Sequence, residues 1–424
     1  MMMMMMVMMM RIVVGFQNIY LGIKLGRKET DEEVENVGQP SSFGPAHFKL
    51  GLGIRARKKG GKVVGSEPAM GAEQPFPEAE AEASMVVGLQ PSAMVDTIAL
   101  VDSSFLDGIP GERGGSIPVG IEELDYIRRE LKEDHGEKTI AGGSVANTIR
   151  GLRTSFGITT AIIAAYGDDH QGNLFLNNMS FNGVNLSCLR KKKGHTAQCV
   201  CLVDHSGNRT MRPSLSNAVK VQAHELVRED FKGSKWLVLR YAILNLEVIQ
   251  AAISLAKQEG LLVSLDLASF EMVRKFKPPL MKLLESGNID LCFANEDEAT
   301  ELLRDEHNAD PVAAVEFLAK YCKWAVVTLG HNGCIAKHGK EMVRVPAIGE
   351  AKAIDATGAG DLFASGFLYG MVKGLSLEEC CKIGACSGGS VTRSLGGEVT
   401  LENRQWLYKQ MKIRDLHMPD GICE

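Results

Sequence analysis

From residue 85 onward, short apolar runs alternate with longer segments that carry apolar residues at helical spacing. Runs such as "TTAIIAAY", "KWLVLRY" and "LLVSLDL" have the length and composition of buried strands, and "EELDYIRRELKE" and "SVANTIRGLRTSFG" have the period of helices. Strands separated by helices form a mainly parallel sheet covered on both faces, and ligands gather at the carboxyl ends of such strands. The alternation therefore predicts an α/β fold.

One segment, "TAQCVCLVDHSGNRTMRP", departs from this alternation. Its two halves flank Ser206, Gly207 and Asn208, which are turn-forming residues, and this pattern is typical of a β-hairpin. A hairpin that projects from an α/β enzyme can cover a binding site and exclude water from it. We interpret this segment as part of a lid.

The charge and cysteine patterns exclude several classes of protein. The chain has a net charge of -5 and a pI near 6.1, without the basic surplus that non-specific nucleic-acid binding needs. Arg240 and Glu247 interrupt the most apolar stretch, around residues 237–256, so we expect no membrane partner. The cysteines are scattered and form no paired C-x-x-C units of the zinc type. We expect a reduced, cytoplasmic protein rather than a plastid one.

Residues 1–84 differ in composition from the rest of the chain. They begin with "MMMMMMVMMM", carry the acidic run "ETDEEVE" and the basic run "RARKKGGK", and show no sustained periodicity. This start resembles neither a secretory signal nor an acid-poor transit peptide, and Met70 offers a second translation start. We interpret the segment as a disordered extension whose basic run is solvated, with nuclear import as the alternative.

The stretch "AIDATGAGDLFASGFLYGMVKG" places three small residues, Gly358, Ala359 and Gly360, directly before Asp361 at the predicted start of a helix. The free N–H groups and the dipole of a helix start attract anions, and small residues let a phosphate approach closely. A carboxylate beside an anion repels it unless the carboxylate accepts a proton, as phosphoryl transfer requires. The alternative is an Asp that only interacts favourably with the helix dipole.

Other nucleotide-binding motifs fit poorly. Phe363 stands where the dinucleotide fingerprint requires its third glycine, and no strong buried strand precedes the motif. The sequence also contains no G-x-x-x-x-G-K-[ST] motif. Neither a Rossmann nor a P-loop interpretation is supported.

The stretch "DATGAGDLFASGF" resembles the C-terminal signature of the PfkB, or ribokinase-like, carbohydrate and nucleoside kinases, and "AGGSVANTIRGL" resembles their N-terminal glycine motif. Further matching segments follow in family order: "VDTIALVD" at 95–102, "YGDDHQG" at 166–172, "SLDL" at 264–267, "NEDE" at 295–298 and "VTLGHNG" at 327–333. The resemblance covers residues 86–407. It implies a ribokinase-like fold, in which a central, mainly parallel sheet is flanked by helices on both faces and a small β lid covers the acceptor.

The resemblance also implies a domain organisation and a set of ligands. One kinase domain would occupy residues 85–415, with lid elements near 90–110 and 195–213, and residues 416–424 would form a C-terminal tail. The implied donor is ATP with Mg²⁺, the acceptor is a small sugar or nucleoside, and the protein would be a monomer or a homodimer.

The family's acceptor and phosphate residues have counterparts in this chain. Asp361 matches the general base, and Gly358, Ala359 and Gly360 match the phosphate cradle. The matches to the acceptor site are Asp96, Gly142, Gly143 and Asn147. From the residues alone, the alternatives are a strand-end Asp that caps a turn, and a glycine-rich helix start with a surface Asn.

The family's nucleotide and magnesium residues also have counterparts. Thr328, Gly330 and Gly333 match the loop that borders ATP, although an ordinary β-turn has the same local pattern. Asn295 and Glu298 match an N-x-x-E element that holds magnesium through water, as a hard cation with oxygen ligands requires. The alternative is a helix-capping Asn with a Glu in the first turn.

The identity of the acceptor is the least determined part of this interpretation. "AGGS" and the context of Asp96 resemble the adenosine-kinase-like branch, which favours a nucleoside over a fructose- or ribose-type sugar. Arg240 would suit an anionic acceptor, with a surface salt bridge as the alternative. Asp355 and Thr357 fall where many relatives coordinate potassium. A non-catalytic binding scaffold is a further alternative, but the intact cradle and base favour catalysis.

Overall fold

Two β-sheets organise the structure, a computed structural model that describes residues 85–131, 138–304, 310–350 and 353–421. The strands are β1 (Val86–Ser92), β2 (Met94–Leu100), β3 (Lys138–Gly142), β4 (Thr160–Gly167), β5 (Leu189–Lys192), β6 (Ala197–Val203), β7 (Arg209–Ser214), β8 (Trp236–Arg240), β9 (Leu262–Asp266), β10 (Leu291–Asn295), β11 (Trp324–Thr328), β12 (Cys334–His338) and β13 (Glu341–Val345). The predicted N-terminal extension, residues 1–84, lies outside the described residues, as do residues 422–424 of the predicted tail.

Helices alternate with these strands along the chain. They are α1 (Ser103–Asp107), α2 (Ile121–Glu130), α3 (Ser144–Phe156), α4 (His170–Phe181), α5 (Leu246–Gln258), α6 (Phe270–Glu285), α7 (Glu296–Leu302), α8 (Pro311–Leu318), α9 (Ala359–Lys373), α10 (Leu377–Val391) and α11 (Leu401–Ile413). None of the helices in the described ranges combines the length and the apolar content that a membrane span requires.

The larger sheet has nine strands in the order β13-β12-β11-β10-β9-β8-β1-β4-β5. Its strands run parallel from β11 to β5, and β12 and β13 add an antiparallel edge. One apolar core lies between the sheet and α5 to α8, and a second lies between the opposite face and α3, α4 and α9 to α11. This architecture confirms the predicted α/β fold, with helices on both faces of a mainly parallel sheet.

The smaller sheet has four strands in the order β3-β2-β6-β7. Strands β6 and β7 pair antiparallel around the predicted turn, so the expected hairpin is present. The outer face of this sheet packs against α1 and α2 through an apolar cluster of its own. We call this four-stranded sheet the lid sheet.

The tip of the lid hairpin contacts the loop that leads into α9. The backbone N–H of Ala356 donates to the Gly207 carbonyl at 2.9 Å. Gly207 has a φ of 80°, and a Cβ at this position would lie 2.9 Å from the Ala353 carbonyl oxygen. A residue with a side chain is therefore excluded by both conformation and space. A backbone hydrogen bond therefore joins the tip of the lid hairpin to the α9 loop.

Glycines allow three helices on one face to pack closely. A Cβ at Gly151 of α3 would lie 2.5 Å from a Leu362 methyl of α9, and one at Gly366 of α9 would lie 2.6 Å from the Ile383 carbonyl of α10. Such close packing brings the starts of α3 and α9 together above the sheet. The carboxyl ends of β8, β9, β10 and β11 converge on the same region, where parallel strands place their ligands.

Asp290 ties three elements together at the other end of the sheet. Its side chain is only 5% exposed and accepts hydrogen bonds from the Lys257 ammonium, from the Val263 N–H at 2.8 Å and from Lys323 at 2.9 Å. Burial raises the pKa of Asp290, but these hydrogen bonds outweigh burial and hold the pKa below its ordinary value. The carboxylate therefore stabilises the fold in its charged form.

We expect Asp290→Asn to lower the free energy of unfolding by about 1–3 kcal/mol at pH 7, because the buried donors lose a charged acceptor. The contribution of Asp290 is present above the ordinary aspartate pKa of about 3.9 and is lost as the pH falls through the lower folded-state pKa. Urea denaturation at pH 7 and pH 3 should show the difference between variant and wild type shrinking in acid. Asp125→Asn on exposed α2 is the control, and an equal difference at both pH values would contradict the assignment.

Candidate functional site

The start of α9 is open to a ligand. Gly358 precedes the helix with a left-handed φ of 77°, and a Cβ there would lie 2.5 Å from the Gly397 Cα. A Cβ at Gly360, by contrast, would meet nothing within 4 Å. The N–H groups of the first turn of a helix have no intrahelical partner. Ala359 N–H donates to the Ala356 carbonyl at 3.2 Å, so the N–H groups of Gly360 and Asp361 are the ones that this helix start offers to an anion.

Asp361 lies in the first turn of α9, where it is held from α3. Its Oδ2 accepts a hydrogen bond of 2.9 Å from Asn147 Nδ2. The hydroxyls of Thr148 and Ser365 donate to its backbone carbonyl at 3.2 and 3.0 Å. The structure therefore brings together two predicted site residues, Asp361 and Asn147, that are far apart in the sequence.

Arg150 fixes the orientation of Asn147. The guanidinium is 1% exposed and donates to Asn147 Oδ1 at 2.7 Å, to the Ala141 carbonyl at 2.9 Å, to Asn178 Oδ1 at 2.8 Å and to the Gly397 carbonyl at 3.3 Å. Because Asn147 Oδ1 faces this cation, its Nδ2 must face Asp361.

Arg150 also sets the charge balance behind the site. Burial lowers the pKa of Arg150, while the nearby carboxylates of Glu398, Asp96 and Asp361 raise it. Glu398 accepts from Asn178 at 2.8 Å, so the cation and this carboxylate share one amide. Arg150 was not among the residues predicted from the sequence. The available signal was an arginine three residues after Asn147, inside a helix that the apolar pattern buries.

Asp96 lies on β2, beside the glycine motif. It is 6% exposed, and its Oδ1 has no hydrogen-bond partner. Burial raises the pKa of Asp96 to about 7, against the opposing effects of the Gly143 N–H and Arg150. A Cβ at Gly142 would lie 2.0 Å from the Asp96 carboxyl, so only glycine fits there.

Gln90 is a second residue that the sequence analysis missed. Its Nε2 donates to the Gly142 carbonyl at 3.1 Å, and its Oε1 accepts from the Ala146 N–H at 3.0 Å. Gly143 has a φ of 92°, and a Cβ there would lie 2.3 Å from Gln90 Oε1. Gln90 thus holds the turn that precedes α3.

Asn295 and Glu298 form a capping box at the start of α7. Asn295 Oδ1 accepts from the Glu298 N–H at 2.8 Å, and the Glu298 carboxylate accepts from the Asn295 N–H at 2.8 Å and from Asn295 Nδ2 at 3.0 Å. This is the cap that the sequence left as an alternative. Burial, followed by repulsion from Asp266, raises the pKa of Glu298 to about 8. A magnesium role for this pair stays a prediction.

The loop after β11 has a backbone explanation. Thr328 pairs with Asn295 in the sheet, which places the loop beside α7. Gly333 has a φ of 89°, and a Cβ there would lie 1.9 Å from the Val345 carbonyl, so the hairpin itself requires glycine. A Cβ at Gly330 would meet nothing within 4 Å. Of the predicted nucleotide residues, Gly330 therefore borders open space.

Asp355 and Thr357 join two loops. Asp355 is fully buried, and its two carboxylate oxygens accept from the Thr357 N–H at 2.7 Å and from the Gly396 N–H at 2.8 Å. Thr357 Oγ1 is buried without a hydrogen-bond partner. The carboxylate therefore holds the cradle against the 394–397 loop, and the predicted potassium contact stays a prediction.

Two arginines face the carboxylates of the site. Arg240, at the end of β8, lines a cavity that is also lined by Ser144, Asp266 and Asp361. Its Nε lies 3.9 Å from Asp266 Oδ1 and has no hydrogen-bond partner, and its terminal nitrogen donates to the Ala268 carbonyl. Arg209 of the lid sheet also acts electrostatically on Asp266. Arg240 therefore lines the site and also forms a partly exposed ion pair with Asp266, the kind of contact that the sequence left as an alternative.

We expect Arg150→Met to lower the free energy of unfolding by about 3–5 kcal/mol, because it removes a buried cation from its carboxylates and leaves the groups that it binds unpaired. Arg150→Lys should recover only part of this loss, since one ammonium cannot span the same acceptors. Chemical denaturation measures both, with Arg153→Met on the more exposed side of α3 as control. Equal stability of Arg150→Met and wild type would show that the hydrogen bonds and ion pairs of Arg150 do not stabilise the fold.

Comparison with known proteins identifies the family. The model of the family described as "pfkB family carbohydrate kinase" matches residues 117–404. Adenosine kinase 2 of Arabidopsis thaliana is 25% identical over 323 residues, which cover 72% of this chain and 92% of that protein. Fructoselysine 6-kinase of Escherichia coli is 29% identical over 255 residues, which cover 60% and 90%. The solved adenosine kinase from Sinorhizobium meliloti is 28% identical with a TM-score of 0.71, over 78% of this chain and 99% of that one. The chain belongs to the pfkB family of carbohydrate kinases.

Proposed function

We propose that this protein transfers the γ-phosphoryl group of ATP to a hydroxyl of a nucleoside or sugar, with Asp361 as the general base. The observation that carries the proposal is the position of the Asp361 carboxylate in the first turn of α9. The space beside Gly360 at this helix start is free of other protein atoms within 4 Å of a Cβ placed there. A base and an anion cradle on one turn are the two groups that a phosphoryl transfer needs at the reacting atoms.

In the proposed reaction, Asn147 positions the Asp361 carboxylate, and Asp361 accepts the proton. Asn147 donates to Asp361 Oδ2, and we assign the other oxygen, Oδ1, to the proton of the acceptor hydroxyl. When that hydroxyl attacks, its oxygen bonds to the γ-phosphorus, its proton passes to Asp361, and ADP leaves with the electrons of the broken P–O bond. The N–H groups of Gly360 and Asp361 stabilise the charge on the transferred group.

Arg240 and Arg209 offset the negative charge around the transfer. The charges of both arginines act to lower the pKa of Asp266 and the pKa of Glu298, against the effect of burial. A polyphosphate adds further negative charge, which guanidinium groups bind well. We assign Arg240 to the migrating phosphoryl group, since it lines the same cavity as Asp361.

Mg²⁺ fits the donor set beside these groups. The carboxylates of Asp266 and Glu298 offer the hard oxygen ligands that Mg²⁺ prefers, and burial followed by repulsion from Asp266 raises the pKa of Glu298. Asp266 and Glu298 would hold Mg²⁺, which would neutralise part of the phosphate charge. Thr328, Gly330 and Gly333 would border the nucleotide, and Asp355 with Thr357 would serve a potassium ion.

A nucleoside is our preferred acceptor, and a fructose- or ribose-type sugar is the alternative. Asp96 Oδ1 would accept a hydrogen bond from an acceptor hydroxyl, since it is buried and unpaired. The same face of the lid sheet carries Ile98, Ile140 and Met211, which form an apolar surface suited to a flat base. The relatives include both adenosine kinases and kinases of sugar derivatives.

A panel of nucleosides and sugars, assayed for ATP consumption, tests the activity and identifies the acceptor. Turnover of any acceptor supports the kinase. Nucleotide binding without turnover of any acceptor would instead favour a binding scaffold.

With the acceptor known, we expect Asp361→Asn to lower turnover by roughly 10²–10⁴, the usual contribution of a positioned general base. ATP affinity should stay near the wild-type value, because the amide keeps the shape of the side chain. Gly360→Val should fail differently: its side chain enters the space in front of α9 and weakens ATP binding itself. Steady-state kinetics and nucleotide titration measure the two effects.

Glu378→Gln, which removes an exposed first-turn carboxylate from α10, is the control for a general effect on helix starts. A carboxylate that only stabilises its helix would give Asp361→Asn a stability loss of about 1–2 kcal/mol with turnover preserved. That outcome would rule out Asp361 as the base.

We expect Glu298→Gln to raise the Mg²⁺ concentration needed for half-maximal turnover, because the amide loses the charge while its one oxygen can still accept from the Asn295 N–H. Since the folded-state pKa of Glu298 is raised from 4.5 to about 8, its ionisation destabilises the fold as the pH rises through this range. Without metal at pH 9, the variant should therefore be the more stable protein. Magnesium titrations and urea denaturation test both points, and an unchanged magnesium dependence would remove Glu298 from the metal site.

A further inference from the structure

Two cysteines of the lid sheet face Asp96. Cys199 and Cys201 are two residues apart on β6, so their side chains point to the same face of the strand. Asp96 on β2 is the direct partner of Cys199 in the parallel pairing of these strands. All three side chains are buried. The pairing of β2 and β6 therefore gathers two thiols and a carboxylate on the inner face of the lid sheet.

The spacing of these groups matches that of metal ligands. The sulfurs of Cys199 and Cys201 are 3.8 Å apart. Two thiolates bound to one tetrahedral Zn²⁺ at about 2.3 Å would be separated by about 3.8 Å. A carboxylate oxygen of Asp96 and both sulfurs lie within 4.8 Å of one another. Two ligands are thus already at the required separation, and the third lies beside them.

Asp96 supplies an independent sign of a missing ligand. Its Oδ1 is buried without a hydrogen-bond partner, on a side chain that is 6% exposed. A buried polar atom of this kind is costly unless something binds it. A cation held by the neighbouring sulfurs would satisfy this oxygen. The spacing of the two sulfurs and the unpaired carboxylate oxygen are therefore two independent indications of one bound cation.

We propose that Asp96, Cys199 and Cys201 form a site for a soft divalent cation, Zn²⁺ above all. Thiolate ligands select zinc over Mg²⁺, which prefers oxygen. On binding, the ion would form two Zn–S bonds and one Zn–O bond, and the two thiol protons would pass to water. The fourth position of the tetrahedron stays open to water.

The site has a functional consequence that rests on the proposed kinase activity. The Asp96 oxygen that would bind the ion is the one we assign to the acceptor, so Zn²⁺ and acceptor exclude each other. Any route that admits an acceptor to Asp96 also admits the ion. Zn²⁺ would then inhibit by competition with the acceptor, at a place distinct from the Mg²⁺ ligands.

Metal binding itself tests the site without reference to turnover. Protein freed of metal with a chelator should bind about one Zn²⁺ per chain in competition with a chromophoric zinc indicator. With Co²⁺ as the probe, thiolate-to-metal charge-transfer absorption should appear. Cys199→Ala and Cys201→Ala should each weaken Zn²⁺ binding by more than about 100-fold, because a direct ligand contributes more than an outer-shell partner, whose loss costs roughly 10–100-fold. Asp96→Asn should weaken it while the charge-transfer band persists.

Cys334→Ala is the matched control, because Cys334 is a buried thiol that also lies beside a second thiol, Cys381. Its Zn²⁺ affinity should equal that of wild type, and thermal melting of each variant confirms that the fold is intact. Wild-type protein that binds no Zn²⁺, or Zn²⁺ affinity that survives in a folded Cys199→Ala, Cys201→Ala double variant, would overturn the proposal. Neither result bears on the kinase, which the acceptor panel tests separately.

Discussion

The hydrogen bond from Asn147 to Asp361 joins two helices that carry the two halves of the site. Helix α3 begins at the glycine motif next to Asp96, and α9 begins at the anion cradle. Gly151 lets these helices approach closely, and Arg150 holds Asn147 from behind. The packing of these two helices therefore sets the distance between Asp361 and the glycine motif.

The site contains several carboxylates, and arginines on two sides offset their negative charge. Arg150 is buried behind Asp96 and Asp361, while Arg240 and Arg209 stand in front of Asp266. Burial nevertheless raises the pKa of Asp96 to about 7. The site therefore keeps more carboxylates than cationic groups, which suits it to binding hydroxyl donors and cations.

Periodicity predicted β4, β8 and β9 and the helices α2 and α3, because their apolar residues follow the geometry of each element. It missed β3, β5 and the β12–β13 edge, where charged residues interrupt the apolar runs. The local motifs located Asp361, Asn147 and the glycines. Arg150 and Gln90 escaped prediction because their importance comes from partners distant in the sequence, as in the contact of Arg150 with Gly397. For Asn295 and Glu298, a local pattern that fits both a cap and a metal site could not separate the two.

The hydrogen bond between Gly207 and Ala356 links the lid sheet to the loop before the cradle. Movement of the hairpin away from the site must break this bond and release the segment that leads to Gly358. In the proposed kinase, an acceptor that holds the hairpin in this position would also hold the loop before the cradle, and by reciprocity a bound nucleotide would tighten acceptor binding by the same factor. The proposed activity would thus couple its two substrates through this backbone contact.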